Sequence, residues 1–468
     1  MKQIFLASTF FQVVSLAAAI DAGTTDVPAY PAAVLAPESL PAAHVSERIL
    51  LASNHAQALE LTARLQDNRA LAPALRRFDR VIDLNDTLHP QHPTSWRPAH
   101  EDLPLLEEAL RTRWGLGDGP VELVVESPQV NPAIALGRVF RSAFIRVHSD
   151  GLMSYGPTRS TIPLANGQRM TALHHLPLVE GLTPRLLVEY GIAPRPTPLR
   201  AFTAIVDEIA ADQADLLAPL LDDLDGATTG LAFGQYLAAL GLMTEDEESA
   251  LHRRMVLTAA ERGLAALAFK PHPAAPPSRL DDIASAAREA GIRLRVLDTP
   301  VFAEAIVARL RPAVVIGSFS TALATARAAY GIPIAVLGTG PLLETIAPYQ
   351  NSNRVPVTIM HELAAVGPAA PLTAQQSGDL QVIVDTVSYC MQPSLLAAFR
   401  ERASAFLDSP AGPAHRLHFK RRRLTRLGLP GALPKSRRPR TVAARAARTA
   451  ATFTRIYGER WTGRKLLP

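Results

Sequence analysis

Short aliphatic runs recur along the chain between longer stretches rich in alanine and leucine. The first series is Gln3–Ala7, Ile49–Ser53, Val81–Leu84, Val121–Glu126 and Phe144–Val147. The second is Gly230–Phe233, Leu264–Phe269, Leu294–Leu297, Ala313–Gly317 and Ile334–Leu337. Continuous apolarity, rather than in–out alternation, is what a strand buried on both faces requires, and it predicts parallel strands covered by helices. A proline-bearing stretch, Pro194–Pro198, separates the two series. The pattern therefore predicts an α/β protein with two Rossmann-like domains facing a cleft, residues 1–195 and 196–410, followed by a basic tail, residues 411–468. In such sheets ligands gather at the carboxyl ends of the strands, so the chemistry belongs in the loops that follow them.

The N-terminal run IFLASTFFQVVSLAAAI after Lys2 imitates a secretory leader. Ser8, Thr9, Gln12 and Ser15 interrupt it, and it divides into a strand, a polar turn and a helix from Phe10 to Ile20. No later run reaches the roughly 18 apolar residues of a membrane span. With 468 residues, 48% of them hydrophobic, the chain can fill two or three cores. The single cysteine, Cys390, cannot form an internal disulfide, and no Cys/His cluster has zinc spacing, so a reducing, cytoplasmic compartment fits. Charge is uneven: Arg416–Pro468 holds 16 Lys and Arg against one acid, Glu459. The body before it is net negative.

Three post-strand loops carry candidate chemistry. His148-Ser149-Asp150-Gly151 follows the strand ending at Val147. Asp before Gly is an ordinary turn former, but a carboxylate held there can also take a proton from an acceptor hydroxyl. Phe269-Lys270-Pro271-His272-Pro273 ends another strand; its prolines stiffen the segment and carry His272 off the strand end, while Lys270 can simply be solvated. Gly317-Ser318-Phe319-Ser320-Thr321 lies between a strand and a helix from Ala322 to Tyr330. One hydroxyl there suffices as an N-cap, and the others are free to ligate phosphate at the positive end of the helix. Gln235 also follows a strand and is a candidate nucleotide contact; His174-His175 reads as structural. There is no P-loop, no GxGxxG after the first strand and no Gly-x-Ser-x-Gly, which argues against nucleotide triphosphate hydrolysis and ordinary NAD binding. Asp223-Leu224-Asp225 sits in a polar linker rather than after a strand, so no metal site is expected from it.

In this order the three loops resemble the acid-acid-Gly, His-Pro and Ser-Ser/Thr motifs of bacterial sialyltransferases of the two-Rossmann, GT-B type. SDGLMSYGPTR, FKPHP and GSFST look like the polysialyltransferases in particular. One position departs: Ser149 stands where the first acid is expected, leaving Asp150 as the carboxylate. The resemblance implies an inverting glycosyltransferase that moves sialic acid from CMP-sialic acid to a glycan in surface polysaccharide synthesis, with no metal cofactor. It makes residues 1–195 the acceptor side and 196–410 the nucleotide-sugar side. By it Asp150 is the general base, His272 the general acid or phosphate partner, and Ser320 with Thr321 the phosphate binders; Ser318 and Lys270, in the same loops, are further candidates for the nucleotide phosphate. Tyr155 and Arg159 follow the Asp-Gly loop and are candidates for acceptor contact, Arg being suited to a sialate carboxylate, although a plain surface position fits them equally well.

The tail adds Lys420-Arg421-Arg422-Arg423 and Arg437-Arg438-Pro439-Arg440 ahead of a predicted helix, Thr441–Tyr457. One face of that helix, Val442, Ala446, Ala450, Phe453 and Tyr457, is flanked by arginines, as in segments that lie on anionic lipid. The tail equally fits a solvated, disordered segment, because the face is largely alanine. Residues 416–468 thus point to a peripheral membrane surface, and without interleaved aromatics no nucleic-acid partner is expected. Two other functions fit less of the pattern: a polyol-phosphate transferase using CDP-glycerol or CDP-ribitol, and a non-enzymatic membrane-tethered scaffold for polysaccharide export.

Overall fold

The protein was studied as a computed structural model. The structure describes residues 1–27, 44–56, 64–149, 151–235, 237–272, 279–367 and 371–434. Asp150 and the predicted helix Thr441–Tyr457 lie outside the described residues.

Seven strands form the first sheet: β1 Lys2–Ala7, β2 Glu47–Ala52, β3 Arg80–Asp83, β4 Val121–Glu126, β5 Phe144–Ser149, β6 Met170–His175 and β7 Pro194–Pro196. Five form the second: β8 Thr229–Phe233, β9 Ala266–Lys270, β10 Arg293–Val296, β11 Val314–Gly317 and β12 Ile334–Val336. Their spatial orders, β3-β2-β1-β4-β5-β6-β7 and β10-β9-β8-β11-β12, both start from a central strand and reverse direction beside it. Every ladder is parallel. This is the doubly wound arrangement, and its two switch points fall between β1 and β4 and between β8 and β11.

The N-terminal run is built into this core. β1 is the strand at the first switch point, with Phe5 and Leu6 buried, and the helix Phe10–Asp21 starts on Thr9, whose side chain accepts the Gln12 amide. The proline stretch is a strand rather than a plain linker: β7 pairs with β6 at the sheet edge, the place where prolines lacking N–H donors are tolerated. The helix Leu199–Asp212 then packs on both domains. Phe202 meets Phe11 at 5.3 Å, and Phe302 of the second domain stacks on Phe10 at 4.5 Å, so one apolar core runs through both sheets.

Residues 411–434 do not behave as a tail. They form the short helices Ala411–Ala414 and Arg421–Leu427 and bury Phe419, Leu424 and Leu429. The Arg423 guanidinium donates to the carbonyls of Cys390 and Met391 at 2.6 and 3.3 Å. These apolar anchors outweigh the basic composition that suggests a free segment. Cys390 is buried, and burial pushes its thiol up to about 12. Among the described residues no helix is long and apolar enough to cross a membrane.

Candidate active site

On the second domain the loops after β8, β9 and β11 meet at the strand ends. Gly234, the residue after β8, lets them approach: a methyl group built there would lie 3.1 Å from Phe269 Cζ and 3.3 Å from the His272 amide nitrogen. Gln235 then reaches the third loop, where its side-chain oxygen accepts the N–H groups of Ser318 and Phe319, each at 3.0 Å. Gln235 thus braces the second switch point through its side-chain oxygen. Ser320 caps the helix Thr321–Tyr330, its Oγ accepting the Ala322 amide at 3.3 Å. Ser318 is fully buried, and its hydroxyl has no partner among the described residues, so it does not face the cleft. Lys270 is not solvated either; its ammonium donates to the Thr299 carbonyl at 2.6 Å, and burial lowers its pKa against the pull of Asp298 and Glu304. Of the expected phosphate set, Ser320, Thr321 and His272 remain at the rim.

His272 keeps part of its surface exposed. The protein around the rest lowers its imidazole pKa, and the Glu248 carboxylate partly offsets this. Glu248 itself is buried and accepts the Leu237 amide.

The first-domain loop approaches from the other side. A methyl group built on Gly151 would lie 3.1 Å from Thr321 Oγ1, so this glycine touches the start of the helix Thr321–Tyr330. Gly156, farther along the same loop, rests on Val355, 3.6 Å from a methyl built there. Beside the turn opens a cleft of about 220 Å³ whose lining includes Glu126, His148, Ser149, Gly151 and Arg159. Arg159 is exposed there, and its carbonyl accepts the Gln392 side-chain amide at 2.7 Å. Tyr155 takes no part. It is fully buried, its hydroxyl accepts the Val179 amide at 3.1 Å, and burial pushes its pKa to about 12. An acceptor-binding role for Tyr155 is therefore withdrawn.

Both switch points are closed in the same manner. At the first, Glu126 ends β4 and accepts the Ser8 hydroxyl at 2.8 Å and the Gln12 amide at 2.6 Å, while Gln12 in turn accepts the Ser8 backbone N–H at 2.7 Å. Ser127 follows with a positive φ of 44°, a strained conformation for a residue other than glycine. His148 donates from Nε2 to the Leu6 carbonyl at 2.8 Å; burial holds its pKa down, with Glu126 opposing. His55 is likewise held down by burial and pulled up by Glu126. Glu126 is the cleft carboxylate that the sequence reading passes over as a strand end.

The profile of the alpha-2,8-polysialyltransferases matches residues 3–339, a span that contains all three loops. The chain belongs to the alpha-2,8-polysialyltransferase family. As a member of that family it is a glycosyltransferase, with a nucleotide-sugar donor and a glycan acceptor. No curated protein sequence matches the chain at a significant level. Among solved structures, a sialyltransferase from Photobacterium damsela is 12% identical with a TM-score of 0.40, covering 78% of this chain and 79% of that one. The UDP-GlcNAc 2-epimerase from Methanocaldococcus jannaschii is 12% identical with a TM-score of 0.43, covering 81% and 91%. The family assignment rests on the profile match. In this polysialyltransferase-family enzyme the DxD-like Asp223 and Asp225 are engaged elsewhere: Asp223 pairs with Arg295, and Asp225 accepts the Ala227 amide at 3.0 Å.

Proposed function

We propose that the enzyme transfers sialic acid from CMP-sialic acid to a growing glycan with inversion at the anomeric carbon, and that no divalent ion assists the donor phosphate. The observation that carries this reading is the approach of Gly151, the sequence neighbour of Asp150, to Thr321 at the start of the helix Thr321–Tyr330, since a helix N-terminus is the kind of place that stabilises a phosphate. The acceptor hydroxyl oxygen bonds to the anomeric carbon as its proton passes to Asp150. The bond from that carbon to the phosphate oxygen breaks, and its electron pair leaves with CMP. His272 supplies a proton or positive charge to that oxygen, and the Ser320 and Thr321 hydroxyls with the helix N-terminus hold the phosphate. Arg159, exposed at the cleft, meets the carboxylate of the acceptor sialate.

A donor panel tests the reading, with CMP-sialic acid, CDP-glycerol and UDP-sugars offered to the same acceptor. Consumption of CMP-sialic acid alone is expected; consumption of CDP-glycerol instead would overturn it. Asp150→Asn should leave CMP binding intact and lower transfer by about 10²–10⁴-fold. We also propose that the basic residues from Arg416 onward hold the enzyme at an anionic, cytoplasm-facing membrane surface. Lys420, Arg422 and Arg426 already line an open recess of about 420 Å³ beside Tyr349. Sedimentation with anionic vesicles should weaken when the chain is cut after Pro434, and unchanged sedimentation would contradict a role for the residues beyond it.

A further inference from the structure

Away from the cleft, the helix Arg354–Val366 carries Glu362, and the chain returns to it after the helix Ala411–Ala414. There His415 and His418 stand on a single 3₁₀ turn. In that geometry residues three apart eclipse each other, so both imidazoles face the same way; their rings lie 6.2 Å apart at 24°. Glu362 Oε1 is 2.5 Å from His418 Nε2 and 3.2 Å from His415 Nδ1, and the three donor atoms all lie within 4.8 Å of one another. Two imidazole nitrogens and a carboxylate are the three-protein-ligand set of an open zinc site, which leaves a fourth position for water. Imidazole favours zinc and its late-transition neighbours over magnesium or calcium.

Accessibility agrees with entry from one side. The His418 side chain is 1% exposed and Glu362 15%, whereas His415 is 29% exposed. His418 Nδ1 has no partner among the described residues. A metal on Nε2 would move the ring proton to that nitrogen, a cost that weakens the site but is small beside three metal–ligand bonds.

We propose that Glu362, His415 and His418 bind one zinc ion that fastens the 411–434 segment to the second domain. The fastening reaches the cleft through packing. Directly after His418 come Phe419, buried, and Arg423, which caps the carbonyls at the end of the helix Ala374–Met391; Met391 lines the cleft. The ion is therefore a clamp on the scaffold, separate from the donor phosphate.

The test uses tag-free, full-length protein stripped with EDTA, desalted and titrated with zinc chloride by calorimetry, then with cobalt for its visible absorption. One saturable equivalent is expected, with cobalt bands of a four-coordinate site. His415→Ala and Glu362→Gln should each weaken zinc affinity at least tenfold. Zinc should slow tryptic cleavage at Arg421–Arg423 in the wild type and not in His415→Ala. Because His415 is partly exposed, its removal spares the core even if a His418 variant fails to fold. Zinc binding of equal stoichiometry and affinity in the wild type and His415→Ala, or no saturable equivalent in the wild type, would overturn the proposal.

Discussion

Removing Asp385 should loosen the protein more than removing any exposed charge. Asp385 lies on the helix Ala374–Met391 and is 1% exposed. Its Oδ1 accepts Arg185 Nε at 2.5 Å and Gln381 Nε2 at 2.8 Å, and its Oδ2 accepts Arg185 Nη2 at 3.2 Å and Arg402 Nη1 at 2.8 Å. Arg185 belongs to the first domain and is 11% exposed; Arg402 is 50% exposed. Asp385→Ala leaves the Arg185 guanidinium buried without its counter-charge, which costs about 3–5 kcal/mol. Arg402→Ala removes only a half-exposed pair and should cost about 0–1 kcal/mol. Arg185→Ala should fall near the Asp385 variant, because it also gives up the stacking of the guanidinium over Phe399 at 5.4 Å. Urea unfolding followed by tryptophan fluorescence and far-ultraviolet circular dichroism measures the three, provided the two signals change together. Leu186 and Met391 flank this network and line the cleft, so kcat/KM should fall in Asp385→Ala and hold in Arg402→Ala. A loss below about 1 kcal/mol in Asp385→Ala, no larger than that of Arg402→Ala, would refute the burial argument.

Three shorter predictions accompany it. His272 has a lowered pKa in the free protein and is neutral near pH 7; a bound phosphate raises that pKa, so CMP binding takes up a proton and CMP affinity should fall as pH rises between the free and bound values. Dissociation constants measured from pH 5.5 to 8.5 should lose this slope in His272→Gln, and an identical slope there would remove His272 from the phosphate. Tyr155→Phe leaves the buried Val179 N–H unpaired and should cost about 1–3 kcal/mol of stability while the acceptor KM stays unchanged. A raised KM at unchanged stability would restore an acceptor role. Glu126→Gln should reduce transfer by about tenfold or more with folding preserved, because the carboxylate fixes Ser8 and Gln12 at the first switch point; transfer within threefold of the wild type would make it a purely structural acid.

What the sequence shows and what it hides have separate physical causes. The strand Val121–Glu126 is read to its last residue, and the second series falls close to β8–β12, because strands covered on both faces appear as unbroken apolar runs. β6 escapes notice because it ends in His174 and His175, whose polar character hides their burial; burial holds His174 down at about 3. β7 escapes because its prolines signal a linker, and only its place at the sheet edge makes them tolerable. The cleft shows a similar division. The three loops are local motifs and legible, but the Glu126 brace joins residues more than a hundred positions apart. Glu362 and His418 are likewise brought together by the fold alone. Gln235, Ser318 and Lys270 sit in the right loops but turn inward, a matter of side-chain direction that loop position does not encode.

The aromatic contacts of Phe10 and Phe11 with Phe302 and Phe202 have a mechanical consequence. They join the two domains on one side, and the helix Ala374–Met391 joins them again where Ser377 donates to the Glu180 carbonyl and Gln381 accepts the Thr183 amide. A body linked twice has no simple hinge, since swinging about one link strains the other. Wide opening of the gap would require separating stacked rings and a buried ion pair together. Access for donor and product then falls to small movements of the strand-end loops within a frame that is otherwise held fixed.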